Sequence, residues 1–171
     1  AEIRDLTLED ADVTGCYYVG SLVGNNSGKI TNVSVSGSVT GEWNTGGLAG
    51  LNKGTISLTT FTGAVTGADE IEYGQWTGGL VGYNYGAITD CWAAATVVSE
   101  DDGVGGLVGE SLTAGIITGS YSAGTVTADD YTGGLVGSNS GEITACYSIC
   151  TVNCYGYRDV GGLVGANSGP I

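Results

Sequence analysis

The sequence has no histidine, no methionine, a single proline and only four basic residues in 171 positions. Without histidine there is no Ser-His or Cys-His catalytic pair and no imidazole metal ligand. Two lysines and two arginines cannot line a phosphate-tracking groove, so nucleic acid is not an expected partner. Against them stand 18 aspartates and glutamates, giving a net charge of −14. That surface repels an anionic membrane. No apolar run reaches the roughly 20 residues of a spanning helix, so membrane insertion is not expected. No segment reads as a capped amphipathic helix or a signal peptide. An opening at Ala1 is what a processed secreted protein, or an excised domain, would show.

What the chain does have is glycine and small apolar residues. Gly occurs 33 times, hydrophobic residues make up 42% and charged residues 13%. That apolar share is too high, and the charge too low, for a disordered chain. Glycine without a G-X-Y period excludes collagen. The length fits one domain.

An internal repeat decides the architecture. A GGLVG-like motif occurs six times, with its leucine at Leu22, Leu48, Leu80, Leu107, Leu135 and Leu163. Each leads through a turn to an isoleucine: Ile30, Ile56, Ile88, Ile117, Ile143 and Ile171. The Leu-to-Ile step is 8 residues except in the fourth copy, where it is 10. Nine residues after each internal isoleucine comes a valine: Val39, Val65, Val97, Val126 and Val152. From that valine to the next leucine the spacing varies from 9 to 15 residues. Fixed segments joined by variable ones mean packed strands and exposed loops. The fixed segments are rich in Val, Ile, Thr and Tyr, with alternating stretches such as Thr125-Val126-Thr127. Asn-x-Gly turns separate them. The predicted fold is all-β: a parallel β-solenoid (β-helix) of about six coils, one repeat of about 28 residues per coil, filling residues 1–171 as one domain. Propeller blades need about 40–50 residues and are the poorer fit. Six coils at about 4.8 Å each make a rod of order 30 Å.

Stacking superimposes equivalent residues. Leu, Ile and Val become inward columns. Asn26, Asn52, Asn84, Asn139 and Asn167 share one turn position and are expected to form an Asn ladder, interrupted by Ser111.

The pattern GGLVG-x-N-x-G-x-I-T-x-C-Y-S-x-G-x-V, nearly complete in Gly133–Val152, resembles the GLUG repeat family. The resemblance runs over essentially the whole chain. It implies an extracellular or bacterial cell-surface β-solenoid, of the kind found in large adhesins and in non-catalytic regions of IgA-cleaving metalloproteases. It implies no activity, because the repeat carries no catalytic residue. The first copy departs from it with Gly20-Ser21, the fourth at its turn.

Three groups of residues are candidates for function. Acidic residues crowd the Val-to-Leu loops on one edge. Asp69, Glu70, Asp101, Asp102, Asp129 and Asp130 are the candidate calcium ligands, since that ion takes six to eight oxygens. The plainer reading is a solvated edge that keeps the rod soluble; no other cofactor is expected. Trp92, Tyr121 and Tyr147 share a register on three successive coils and point outward if Cys91, Ser120 and Cys146 point in. Such a stripe suits a glycan, a protein contact or a self-stacking ladder. Trp43, Trp76, Tyr131, Tyr155 and Tyr157 punctuate the loops. The five cysteines (Cys16, Cys91, Cys146, Cys150, Cys154) contain no CxxC pair and read as small core residues rather than zinc ligands. The formal glycosylation sequons at Asn25 and Asn32 are expected by chance.

The chain begins and ends in mid-repeat when the repeat is divided at its Leu motif. The two halves are complementary, and neither end carries a polar cap. Ile3, Leu6, Leu8, Leu163 and Ile171 are therefore expected to form end surfaces. The sequence favours a non-enzymatic structural subunit stacking head to tail on copies of itself into a filament. A segment cut from a longer array is the plain reading of the same ends. The alternative function is an adhesin stalk binding host glycan or protein through its aromatic and acidic edge loops.

Overall fold

The structure, a computed structural model, describes residues 1–67, 75–100 and 102–171. Among the described residues there are strands and no helix, so none is long and apolar enough to cross a membrane. The strands pair in parallel and wind into six stacked coils: residues 2–26, 29–52, 55–84, 87–111, 116–139 and 142–167. The third coil shows the plan. A short strand, Thr55–Ser57, turns into a long one, Thr60–Gly67; later in the coil come Thr77–Gly78 and Val81–Asn84. In the first two coils the leading runs merge into Glu2–Gly20 and Lys29–Gly46. The Val-Gly-x-Asn strands build a six-stranded sheet, and the rest form a sheet of 14 strands. Coils are divided just after the Asn-x-Gly corner. Glu2 pairs with Lys29, so residues 2–26 are a full coil.

Register locks like residues together. Ile30, Ile56, Ile88 and Ile117 stack with no exposure, as do Leu48, Leu80, Leu107 and Leu135. Val39, Val65, Val97 and Val126 complete the core. Burying one such side chain contributes about 1.5–3 kcal/mol. The paired glycines of the Leu motif sit where coils approach most closely. A Cβ on Gly79 would collide with the Gly106 carbonyl, and one on Gly106 with the Gly134 carbonyl.

Left-handed backbone bends each coil between its short and long strands. Asp5, Asn32, Leu58, Asp90, Gly119 and Ala145 occupy that corner in successive coils, at φ from 50° to 59°. Asp, Asn and Gly tolerate this geometry; Leu and Ala are strained there by roughly 1–2 kcal/mol. At the next position Thr59, Cys91, Ser120 and Cys146 tie the bend. Thr59 and Ser120 hydroxyls and the Cys91 and Cys146 thiols all donate to the carbonyl two residues back, at 2.8–3.2 Å.

Candidate functional site

The fold brings three sets of side chains to its surface. On the long-strand face, Trp92, Tyr121 and Tyr147 stand in one column on the fourth, fifth and sixth coils. Their rings stack on one another: Trp92 and Tyr121 lie 5.8 Å apart at 10°, Tyr121 and Tyr147 4.8 Å apart at 4°. Parallel register forces this, because equal side chains one coil apart meet at about the coil spacing. Both faces of Tyr121, and one face each of Trp92 and Tyr147, are therefore covered. The column continues over the earlier coils as Thr60, Ser34 and Thr7.

At the Asn-x-Gly corner, Asn26 donates to Asn52 at 2.8 Å, Asn52 to Asn84 at 2.9 Å and Asn139 to Asn167 at 2.9 Å. Each Oδ1 from Asn26 to Asn84, and that of Asn139, also accepts the N–H of the glycine two residues on. Ser111 stands in the fourth coil and accepts from Asn84 at 3.4 Å. These asparagines are nine-tenths or more buried from Asn26 to Asn139 and carry structure rather than chemistry.

The loop edge is heterogeneous. Trp43 stacks on Tyr17 at 5.9 Å. Trp76 stacks on Tyr83 at 6.4 Å, and Tyr85 meets Tyr83 edge-on at 5.2 Å. Glu110 lies against Tyr83; its burial raises its carboxyl above the usual range, and the Tyr83 hydrogen bond offsets part of that. Desolvation and the Glu110 charge push the Tyr83 hydroxyl up. Tyr131 is covered by the Arg158 guanidinium, 6.0 Å above its ring. Tyr155 and Tyr157 project into solvent.

Of the calcium candidates, Asp102, Asp129 and Asp130 are described, and the charges of Asp130 and Asp129 act on Asp102. Asp130 accepts the Tyr157 and Arg158 backbone N–H groups at 2.8 Å and pairs with Arg158 Nε at 4.0 Å. Asp102 has its carboxyl raised by burial first and by the Asp130 charge second. Asp129 is exposed. Among the described residues no group of three or more acidic or thiol side chains could hold a metal ion. Asp69, Glu70 and Asp101 lie outside the described residues. All five cysteines are free thiols. Burial pushes Cys91 up to about 12 and raises Cys146 as well. Such thiols are poor nucleophiles.

The end surfaces are apolar in part. Leu6 is 41% and Ile171 64% exposed, and Ile3, Leu8 and Leu163 are half-buried.

The left-handed corner column escaped sequence reading. Its signal is four polar or glycine residues in register, Asp5, Asn32, Asp90 and Gly119, which the intervening Leu58 obscures.

With coil, corner and register in hand, the chain compares directly with known families. The model of the GLUG motif matches residues 15–40, from the end of the first coil into the second. This chain carries the GLUG motif. The GLUG match spans the Leu motif, the Asn-x-Gly corner and the start of the long strand. The remaining four coils repeat that plan in register. Comparison with curated proteins gave no significant match. Among solved structures, a Bacteroides ovatus protein provisionally named an immunoglobulin A1 protease superposes with a TM-score of 0.66 at 20% identity. The superposition covers 89% of this chain and 54% of the other, so this chain spans about half that protein's length. At that identity the likeness is one of fold.

Proposed function

We propose that this chain is a non-enzymatic, extracellular-type structural protein whose solenoid stacks head to tail on further copies of itself. The observation that carries this reading is the continuity of every column into both outer coils. If the sixth coil of one copy is laid on the first coil of the next in the native register, Val152 meets Val13, while Ile143, whose N–H donates to the chain's own Pro170 carbonyl at 3.0 Å, is already covered by the start of a further turn. Leu163 then meets Leu22, and Asn167 meets Asn26. The Asn corner and the Leu and Val columns would continue across that junction. Uncovered parallel strand edges template such pairing, and a head-to-tail contact builds an open filament. The GLUG motif supports an extracellular or bacterial-surface setting. The protease name belongs to the structural neighbour; a chain without histidine cannot supply the usual imidazole zinc ligands.

Electron microscopy of the purified chain, with light scattering over a concentration series, tests the reading. Thin filaments with an axial repeat near 30 Å, about six coil spacings, are the expected result. Leu163→Asp and Ile3→Asp should abolish them while leaving the fold intact by circular dichroism. Monomers at every concentration would overturn the reading.

A further inference from the structure

The long-strand face changes character half-way along the rod. Over the first three coils its outward column is Thr7, Ser34 and Thr60; over the last three it is Trp92, Tyr121 and Tyr147. Trp92 is the first ring of the stack. One indole face lies on Tyr121, and the other looks across Thr60, whose short side chain does not cover it. Trp92 stands at one end of an open groove of about 290 Å³ lined also by Ser34, Ser36, Thr60, Thr62 and Glu9.

We propose that this groove binds a neutral oligosaccharide, seated with one sugar ring against Trp92. Three features select that chemistry. The first is the indole face, which offers a flat apolar surface to the C–H face of a pyranose. The second is the hydroxyl floor. Thr60 donates to Ser34 at 3.2 Å and Ser36 accepts the Asp10 N–H at 3.3 Å, so both rows are held in place. Each hydroxyl has one donor and two acceptor positions, and those contacts leave capacity for a ligand's hydroxyls. The third is charge. Glu9 is the one charged side chain lining the groove, and the chain carries a net charge of −14, so a uronate or sialylated glycan is repelled. The groove crosses the first four coils, about 14 Å along the axis, which gives a short oligosaccharide rather than a monosaccharide its full contact. This site lies on the sheet face, away from the acidic loops; it reaches the first coil only at Thr7–Glu9, and its hydroxyl rows and Trp92 stand on the second to fourth coils, which a monomer presents as a filament does.

The test is binding of the intact chain to an immobilised panel of neutral gluco-, manno-, galacto- and N-acetylglucosamine oligosaccharides, with uronate and sialylated oligosaccharides alongside. Hits are titrated by tryptophan fluorescence. Binding of at least one neutral series is expected, with Trp92→Ala weakening it tenfold or more and Trp92→Phe retaining part of the affinity. The exposed pair Ser34→Ala and Thr60→Val, which leaves the indole in place, should weaken binding several-fold; it serves even if Trp92→Ala disturbs the aromatic stack. Tyr157→Ala should change nothing. Absence of binding to every neutral saccharide, tighter binding to the anionic ones, or affinity unaffected by both the Trp92 and the hydroxyl variants would overturn the proposal. None of these outcomes depends on whether the chain forms filaments.

Discussion

The Asn-x-Gly corner and the loop edge lie at two ends of the same coils, yet they are built differently. At the corner one residue type recurs, and its side chain spans one coil spacing: Asn26 to Asn52 and Asn52 to Asn84 close at 2.8–2.9 Å. Turn length is constant wherever that bridge forms. In the fourth coil serine is too short for it. There the turn is two residues longer and is closed by its own Gly115 N–H to Leu112 carbonyl bond at 2.7 Å. At the loop edge no residue type recurs. Tyr17 with Trp43, Trp76 with Tyr83 and Arg158 with Tyr131 are separate solutions, and the Val-to-Leu spacing ranges from 9 to 15 residues. A ladder of identical side chains fixes length because every insertion breaks two neighbours at once. A loop that solves its contacts locally is free to vary.

That contrast can be broken or sharpened by substitution. The largest effect is expected in the columns both regions hang from. Leu107→Ala, fully buried between like leucines, should destabilise by about 2–5 kcal/mol in denaturant unfolding. Next comes the corner itself. Asn52→Ala removes the donor to Asn84 and the acceptor for Asn26 and the Gly54 N–H, leaving buried polar groups unpaired. A loss of about 1–3 kcal/mol is expected, well above that of any loop aromatic exchanged for alanine. A smaller effect of the opposite sign is expected at the left-handed column. Leu58 is 57% exposed at φ 50°, and Leu58→Asn should raise stability by about 0.5–1 kcal/mol. A melting temperature lower than that of the parent would show that Leu58 has a packing role.

The smallest effect lies beside the loop edge, at Glu110. Its folded-state pKa is raised above 4.5, so folding favours the protonated form. The ionised carboxylate is a penalty that develops as pH rises from 4.5 through the folded value and is complete above it. Glu110→Gln should therefore melt slightly higher than the parent at pH 7, and the two should converge below 4.5. A gap that widens on acidification would contradict the assignment of burial as the cause.

Much of this was legible beforehand. The spacing of Leu80, Ile88 and Val97 within a coil, and their recurrence, gave the coil, its inward columns and the place of the loops, because a solenoid repeats in space whatever repeats in sequence. The Asn positions could be read for the same reason. The outward direction of Trp92, Tyr121 and Tyr147 followed from strand alternation. The left-handed corner was hidden. Leu58 and Ala145 carry no turn signature, and the bend is imposed on them by the coils above and below. Strand spacing put Asp102, Asp129 and Asp130 on one edge, but it did not show that Asp130 is committed to Arg158 and to backbone amides.

What the sequence by itself determined is therefore the part that depends on periodicity: six coils, three apolar columns, an Asn corner and a variable edge. Only the tertiary structure decided the part that depends on which unlike residues meet between coils. It showed that Trp92 stacks on Tyr121 and neighbours Thr60, that Trp43 and Trp76 stack on Tyr17 and Tyr83 while Arg158 covers Tyr131, and that Asp130 pairs with Arg158. Like residues meet through register, which one dimension encodes; unlike residues meet through side-chain size and direction, which appear only once the coils are stacked.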